Sequence, residues 1–463
     1  MARRRWLVRA VPVTGLSMGL ALSGGATALA TNATNLAGGS SAASTGMAGA
    51  DSIGVLDTSL INTNPASLSL MPNREEPGGL LSAGMMDFTV GVLQPYLHHE
   101  DVFGNSRDGE NEPLLVLNGG AAWRFRSHPR LTWGVGLFSQ GGLGTDFEDL
   151  NTAFGTRDDV SSYLRYMKLA VALTYQVADT FAVGIAPHVG YSDLSLRLFP
   201  RTSSNGLDGA PGTADDFAGI DIPDRCARNH GLGPPGSTCP WDVVFGVKAG
   251  FVWKLTPTIT VGATYTSPVD FDYHDGKVRL NLSNVGLGRV EYDADVDGFK
   301  WPQAVEVGVA VRPTRRLLLA LDVAWHNWEA FNAVTIRATN PSQAGAPDDV
   351  TIRLDADWRD QWVVAVGGAY EVVPDVLTLR AGYNFGNNPV PERTMSPPVQ
   401  VVYEHHVAAG IGYRAGRHWR VDVGFDYAFE NTVTYTNRQL PFGPDAQDSP
   451  SGFSAVLTLG YRY

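Results

Sequence analysis

Adjacent histidines and a group of aspartates are the residues of this sequence that could bind a metal ion. His98-His99-Glu100 and His405-His406 carry imidazole and carboxylate groups, which are common metal ligands. Four aspartates of a polar segment carry the carboxylate oxygens that suit Ca²⁺: Asp208, Asp215, Asp216 and Asp221. Adjacent histidines and acidic loops are ordinarily solvated. We therefore expect no metal and no cofactor, although the long loop leaves Ca²⁺ binding open.

Two motifs have the spacing of active-site elements, but neither has the context that its chemistry needs. Gly15-Leu16-Ser17-Met18-Gly19 fits a nucleophile elbow, yet it lies within a leader sequence. Gly231-Leu232-Gly233-Pro234-Pro235-Gly236 fits a dinucleotide fingerprint, yet its two prolines disfavour the helix that should begin there. The sequence shows no convergent nucleophile, base and orienting residue. We predict that the protein is not an enzyme, with a barrel enzyme acting on lipid as the alternative.

The N-terminal residues have the pattern of a secretory signal peptide, which we assign to residues 1–30. Arg3-Arg4-Arg5 precede the mostly apolar stretch Val11–Leu22, and Ala28-Leu29-Ala30 forms a cleavage site. Export places the cysteines in an oxidising compartment. The chain has only two, Cys226 and Cys239, both in one polar loop. We predict a disulfide between them, in preference to two unrelated thiols.

Composition excludes some classes of protein. The chain has 35 Lys and Arg against 47 Asp and Glu, a net charge of −12, which argues against a nucleic-acid partner. Beyond the leader there is no apolar run of about 18 residues, the length that a membrane helix needs. The 52 glycines and 10% aromatic residues suit an all-β chain. A mean hydropathy of −0.09 is compatible with a membrane β-barrel, because its two faces alternate.

Alternation with a period of two predicts many β-strands after Gly79. In Trp419–Phe429 the odd positions are apolar, and Arg420, Asp422 and Asp426 lie on the opposite face. By parity these charged residues, together with Glu430, should face inward. They would then form ion pairs across a lumen or line a substrate path.

The connections between strands alternate strictly in length. Six are short and polar: Arg126–Pro129, Val177–Thr180, Leu255–Thr258, Arg312–Arg315, Val372–Asp375 and Arg414–Arg417. Seven are long: Leu97–Pro113, Gly141–Val160, Pro200–Pro240, His274–Gly288, Thr339–Val350, Gly386–Pro398 and Arg438–Pro450. Outer-membrane barrels have short periplasmic turns, longer outer loops and an even number of strands. The pattern predicts a 14-stranded antiparallel transmembrane β-barrel over residues 78–463, with both termini in the periplasm.

Residues 31–77 precede the first strand and are predicted to be a hatch that plugs the lumen. A barrel of this size is too wide to be filled by its own side chains. The segment is rich in small residues and contains Asn64-Pro65-Ala66, a turn-forming sequence in which proline fixes φ. A general porin, without such a plug, is the other channel to consider.

Five motifs in order resemble the long-chain fatty acid and hydrophobic-compound transporters of the FadL/TodX type. They are Gly46, Ala48, Asp57 and Asn64-Pro65-Ala66 of the hatch, then Gly142–Phe147, Tyr265–Val269, Pro302–Val323 with Trp325 and Trp328, and Arg380–Pro391. The resemblance implies a monomeric barrel with a hatch that takes up fatty acids, aromatic hydrocarbons or related apolar molecules by diffusion. Contact with outer-membrane lipid and, through the C-terminal strand, with the barrel assembly machinery is also expected.

The resemblance also implies a lateral exit at a kink in the third strand. There the alternation of Leu131 to Leu137 is broken by Phe138, which is apolar at the wrong parity. Gly141, Gly142 and Gly144 follow, and glycines weaken strand pairing. These four residues are predicted to form the opening, unless they simply begin the outer loop. The Pro200–Pro240 loop departs from the family, because it lacks the amphipathic period of the expected helical hairpin.

Overall fold

The computed structural model describes residues 39–73, 80–110, 113–205, 216–223, 239–400 and 402–463. The strands are β1 (Leu81–Tyr96), β2 (His98–Glu100), β3 (Ser106–Asp108), β4 (Leu114–Phe125), β5 (Leu131–Asn151), β6 (Arg157–Ala178), β7 (Phe181–Ser204), β8 (Phe217–Ile222), β9 (Trp241–Lys254), β10 (Ile259–Thr266), β11 (Val269–Leu282), β12 (Gly288–Trp301), β13 (Ala304–Val311), β14 (Leu317–His326), β15 (Ala333–Thr339), β16 (Asp349–Asp355), β17 (Gln361–Val373), β18 (Leu377–Gly386), β19 (His405–Ala415), β20 (Trp419–Ala428), β21 (Val433–Tyr435), β22 (Ala446–Asp448) and β23 (Ser451–Arg462).

The helical elements are short. They comprise α1 (Ala42–Thr45) and the 3₁₀ turns η1 (Thr58–Ile61), η2 (Pro65–Leu70), η3 (Ser283–Val285), η4 (Trp328–Ala330) and η5 (Pro397–Val399). Among the described residues, no helix is both long enough and apolar enough to cross a membrane.

Antiparallel pairing closes a ring of strands. Around the ring, neighbours follow the order β1, β4, β5, β6, β7, β9, β10, β13, β14, β17, β18, β19, β20 and β23, and β23 pairs with β1 from Met85↔Arg462 to Tyr96↔Ser451. Side chains alternate across this wall as the sequence predicts. In β20, Trp419 and Phe425 are more than half exposed on the outside, whereas Asp422 and Asp426 are buried inside.

The prediction of a 14-stranded barrel is wrong, because in the described part of the chain a single sheet contains 19 strands. Five strands extend the wall on the side of the long connections: β8, β11, β12, β15 and β16. Much of the predicted loop His274–Gly288 belongs to β11, where Val278 and Leu280 alternate with polar residues and are buried. The predicted loop Gly141–Val160 is also mostly strand, since β5 ends at Asn151 and β6 begins at Arg157. The prediction allowed one strand between successive connections, so it merged neighbouring strands. Between His274–Gly288 and Arg312–Arg315, for example, the structure has both β12 and β13.

The outer ends of the first and last long connections form a separate sheet. Its four strands pair in the order β21, β22, β2 and β3. We call this sheet the outer cap. Below it lies the largest apolar cluster of the described residues, and two smaller clusters lie nearer the short turns, around residues 43–71.

Candidate functional site

A cavity of about 160 Å³ lies within the large apolar cluster, below the outer cap. Most of its lining is aliphatic or aromatic, including Leu196, Phe299, Phe331, Ile336, Trp358 and Leu440. Phe299 belongs to β12 and Ile336 to β15, so strands that extend the ring build the walls. An apolar lining of this kind gains about 25 cal/mol for each Å² of apolar ligand surface that it removes from water. We call this space the outer cavity.

Aromatic rings lead from the outer cavity to the wall of the barrel. The rings of Trp358 and Trp328 have centroids 4.8 Å apart, those of Trp328 and Trp301 5.7 Å, and those of Trp301 and Tyr166 5.2 Å. We call these four residues the aromatic row. Trp301 and Tyr166 form the end of the row that lies against β5, which we call its Trp301 end. Gly141 of β5 pairs with Tyr166, and a Cβ at Gly141 would come within 2.8 Å of Trp301 Cζ2.

Pairing between β4 and β5 is incomplete beside that end of the row. β4 pairs with β1 as far as Leu93↔Leu114, but with β5 only from Arg124↔Thr132 to Gly119↔Leu137. Residues 114–118 of β4 therefore have no ladder partner on β5. Two side-chain contacts span the start of this gap: Ser139 N donates to Asn118 Oδ1 at 2.8 Å, and Ser139 Oγ donates to Leu117 O at 3.1 Å.

The predicted opening residues all lie at this gap or just beyond it. Phe138 is 1% exposed and packs in an apolar cluster with Ile61 and Leu68, which explains its break of parity. β5 and β6 stay paired past this point, with a bulge between Ser139 and Gly141. Gly142 pairs with Arg165 and Gly144 with Tyr163. The glycines thus lie in a strand rather than in a loop.

Residues Ser40–Met71 lie inside the ring of strands and are almost entirely buried. We call them the hatch segment. Each of its turns begins with a side-chain cap, from Ser41, Asp57 and Asn64. Asn64 Oδ1 accepts from the Ala66 nitrogen at 3.1 Å, and its Nδ2 donates to Phe251 O of β9 at 3.2 Å. The predicted Asn64-Pro65-Ala66 turn therefore also contacts the wall.

Glycines of the wall let the hatch backbone approach closely. A Cβ at Gly184 of β7 would lie 2.6 Å from the Pro65 carbonyl carbon, and one at Gly382 of β18 would collide with the backbone of Met47. Real side chains do not make such contacts, so glycine is required where wall and segment touch.

Buried ion pairs join the hatch segment to the last strands. Arg420 lies 3.4 Å from Asp57 of the segment, 3.4 Å from Asp87 of β1 and 2.6 Å from Asp422. Its Nη1 also donates to Leu56 O at 3.0 Å. Burial acts to raise the pKa of Asp57, but the positive charge of Arg420 and two serine hydroxyls outweigh it and lower that pKa. Arg420 and Asp422 face inward as predicted, whereas Glu430 is exposed.

Three carboxylates meet at a second contact between segment and wall. Oxygens of Asp51, Glu306 and Asp322 lie within 4.8 Å of one another, and within the described ranges they are the group that could share a cation. Asp322 accepts from the nitrogen of Ser52 at 3.0 Å and from its hydroxyl at 2.7 Å. Burial, followed by the charge of Glu306, raises the pKa of Asp51 well above its ordinary value. No sequence motif indicated this cluster. The alternation of apolar residues in β14 did place Asp322 on the inward face of the strand.

The predicted metal candidates are engaged with protein groups. His99 is fully buried in the outer cap, so the expectation that it is solvated is wrong. Its Nδ1 lies 2.7 Å from Asp448 and its Nε2 3.3 Å from Asp101, and despite burial these carboxylates raise its pKa to about 9. His98 contacts Asp108 at 2.7 Å.

The second histidine pair is also engaged. Tyr383 Oη lies 2.7 Å from His405 Nδ1, and His406 lies 3.0 Å from Asp426.

The remaining predicted sites fall in the long loop. Asp221 lies 3.5 Å from Arg197 and 3.6 Å from Arg279, and Asp216 lies 3.5 Å from Asn284. Cys239 is fully buried. Asp208, Asp215 and Cys226 lie outside the described residues, as does the signal peptide.

A family model covers nearly the whole chain. Residues 19–463 match the family described as outer membrane protein transport protein (OMPP1/FadL/TodX). The long-chain fatty acid transport protein of Escherichia coli O6:H1 is 23% identical over 400 residues, which span 82% of this chain and 83% of that protein.

Solved structures share the fold at low identity. The toluene transporter TodX of P. putida has a TM-score of 0.72 at 20% identity, covering 92% of this chain and 99% of TodX. A FadL homologue of Pseudomonas aeruginosa has a TM-score of 0.70 at 17% identity, covering 94% and 99%. The toluene transporter TbuX of Ralstonia pickettii has a TM-score of 0.68 at 19% identity, covering 92% and 99%.

Proposed function

Because the chain belongs to the outer membrane protein transport family (OMPP1/FadL/TodX), we propose that it is a channel for passive uptake of hydrophobic molecules across the outer membrane. The observation that carries this proposal is the outer cavity together with the aromatic row. An apolar solute that crossed a polar lumen would lose the free energy gained by keeping its surface dry. An apolar lining from the outer cavity along the aromatic row would avoid that cost.

The cargo we propose is a small apolar molecule, either a long-chain fatty acid or an aromatic hydrocarbon. One relative is described as a long-chain fatty acid transport protein, and two similar structures are described as toluene transporters. The cavity wall offers both aliphatic side chains and aromatic faces, such as Leu196 and Trp358. Both cargo classes are compatible with such a wall.

The cargo leaves sideways, in our proposal, through the gap between β4 and β5. Support comes from the aromatic row, whose Trp301 end packs on Gly141 next to the unpaired residues 114–118. Movement of cargo straight through the lumen to the periplasm is opposed by the hatch segment. It fills the ring of strands and makes buried polar contacts with Arg420 and Asp322. Phe138 and Gly141, Gly142 and Gly144 form one margin of the opening.

The division of the chain follows from this role. We assign residues 1–30 to a signal peptide, 31–77 to the hatch and 78–463 to the barrel. The protein acts as a monomer in outer-membrane lipid, is inserted by the barrel assembly machinery through its C-terminal strand, and has no catalytic activity.

A disulfide between Cys226 and Cys239 would close a local loop on the outer side. Both residues lie in one long connection of an exported chain, and Cys239 is buried. We expect no alkylation of the unreduced mature protein by a thiol reagent. Labelling of both cysteines without reductant would refute the pairing.

Uptake by whole cells tests the proposed function. Cells that make the protein should take up radiolabelled dodecanoate or toluene several times faster than cells that lack it. Ala356→Trp, which fills the outer cavity, should abolish the gain, whereas Leu319→Trp on the lipid face should not. Equal uptake of a hydrophilic sugar would indicate a general porin, and hydrolysis of ester lipid by the purified protein would indicate an enzyme.

A further inference from the structure

On the periplasmic side of the hatch segment, two neighbouring pockets carry an excess of positive charge. The first, of about 180 Å³, is lined by six arginines and three acidic residues: Arg312, Arg315, Arg316, Arg380, Arg414, Arg420, Glu371, Asp375 and Asp422. The second, of about 560 Å³, is lined by Lys254 and Arg312 and by no acidic residue. Leu56 and Arg312 line both pockets, so the two adjoin. This charge contrasts with the chain as a whole, whose net charge is −12.

The acidic residues of the first pocket are already engaged. Asp375 pairs with Arg414 at 2.9 Å, and Asp422 pairs with Arg380 at 2.8 Å and with Arg420. Glu371 accepts from the Asp375 nitrogen at 3.3 Å. These contacts account for three of the six arginines.

Arg312, Arg315 and Arg316 make no ion pair with any carboxylate in the described part of the chain. Arg312 is half-buried, and burial lowers its pKa below the ordinary value with no offsetting acid. Arg315 and Arg316 are exposed. Three guanidinium groups on one short turn repel one another, and an anion bound between them would relieve that repulsion.

The backbone of this turn is held in place. The Arg312 nitrogen donates to Thr258 O at 2.8 Å, and the Glu371 nitrogen donates to Arg316 O at 2.9 Å. Thr314 Oγ1 accepts from the nitrogens of Arg316 and Leu317, both at 3.2 Å. The arginines therefore extend from a fixed frame, which favours a defined binding site over a mobile loop.

The wall opposite the arginines is apolar. Met47, Val55 and Leu56 of the hatch segment line the first pocket, and Leu56, Leu70 and Leu255 line the second. A fully hydrated ion would gain nothing from these surfaces, whereas an alkyl chain would gain about 25 cal/mol per Å² buried. The combination matches a molecule with an anionic head and a hydrocarbon tail.

We propose that these adjoining pockets bind an anionic amphiphile, with its carboxylate or phosphate on Arg312, Arg315 and Arg316 and its alkyl chain against Leu56 and Leu70. Guanidinium groups suit such heads because they donate paired hydrogen bonds to carboxylate and phosphate oxygens. The site lies on the opposite side of the hatch segment from the outer cavity. It therefore goes beyond the proposed uptake function and does not require it.

Binding stoichiometry tests the site. Equilibrium dialysis of the purified full-length protein in a neutral detergent would count bound radiolabelled dodecanoate. The triple variant R312Q/R315Q/R316Q should bind one dodecanoate fewer than the wild type, or bind it at least tenfold more weakly. R126Q/R130Q, which removes two arginines of another periplasmic turn, should bind as the wild type does. Binding of uncharged toluene, which reports on the outer cavity, should be equal in all three.

The proposal would be overturned by unchanged dodecanoate binding in the triple variant, or by an equal loss of binding in R126Q/R130Q. Heat-modifiable electrophoretic mobility verifies that each variant is folded.

Native mass spectrometry from phosphatidylglycerol and phosphatidylcholine nanodiscs then separates the two sources of the anion. Retention of phosphatidylglycerol that the triple variant loses would assign a lipid headgroup, and its absence alongside bound dodecanoate would assign a free amphiphile. Failure of toluene binding alone would count against the uptake function and not against this site.

Discussion

The two halves of the lumen are built from different materials. Most of the lining of the outer cavity is apolar, and strands β8, β12, β15 and β16 beyond the closed ring supply part of its wall. The hatch segment also packs in apolar clusters, but it adds buried ionic and hydrogen-bonded contacts to the wall, through Arg420, Asp322 and Asn64. An apolar wall suits exchange of apolar cargo, since it has no fixed partners. A polar network requires specific partners, so it suits a segment that stays in place.

This contrast predicts that losing the hatch segment has a larger effect than any change in the outer half. Deletion of residues 31–77 should leave a folded barrel, because the ring strands keep their own pairing. It should also open the lumen to water and raise single-channel conductance severalfold or more in planar bilayers. Conductance no higher than that of the intact protein would show that the segment does not close the lumen.

The ionic contact predicts the next largest effect. Arg420→Leu leaves Asp57, Asp87 and Asp422 buried with less compensation, and breaking such a network costs about 3–5 kcal/mol. We expect faster hydrogen exchange over residues 40–71 and a lower unfolding temperature. Arg417→Leu, in the adjoining turn, serves as the matched control. Equal protection of the segment in both variants would mean that the network does not hold it.

The sequence predicted the buried face of β20 and the turn of the hatch segment better than it predicted the outer half of the lumen. Alternation in Trp419–Phe429 was enough to predict which face of β20 is buried, because a strand has only two faces. Asn64-Pro65-Ala66 was recognisable from its turn chemistry. The outer half was harder, because the lengths of the connections could not show that part of one belongs to β11, or that β12 and β13 are two strands. The Asp51, Glu306 and Asp322 cluster joins positions some 270 residues apart, and no local pattern reports such contacts.

Alkaline pH should loosen the outer cap while leaving the hatch segment intact. The pKa of His99 is raised from 6.5 to about 9, so its stabilising contribution is complete below about pH 6.5 and is lost as pH rises through about 9. At 1.36 kcal/mol per pH unit the contribution is about 3 kcal/mol. The charged groups against His99 are Asp101 and Asp448.

Limited proteolysis of residues 97–110 should therefore be faster at pH 10 than at pH 6. His99→Gln should remove that difference, and His98→Gln should retain it. The same pH dependence in the His99 variant would assign the effect to another group.

The gap in the wall predicts the smallest effect, a severalfold fall in uptake. Gly141→Val with Gly142→Val favours regular pairing and pushes against Trp301, at the end of the aromatic row. Gly368→Val is a matched control, because its Cβ would make ordinary contacts of 3.4–3.5 Å on another strand. Uptake is compared at equal amounts of folded protein. Undiminished uptake by the double variant would mean that cargo leaves elsewhere.

If the outer cavity holds apolar cargo, as we propose, diffraction can locate that cargo directly. Crystals of the full-length protein would be soaked separately with bromobenzene and with bromododecanoate, and bromine located by anomalous scattering. We expect a bromine peak inside the outer cavity, beside Trp358, for at least one probe, and its loss in Ala356→Trp. Bromine found only on the lipid-facing surface, with the cavity empty at full soaking concentration, would contradict it.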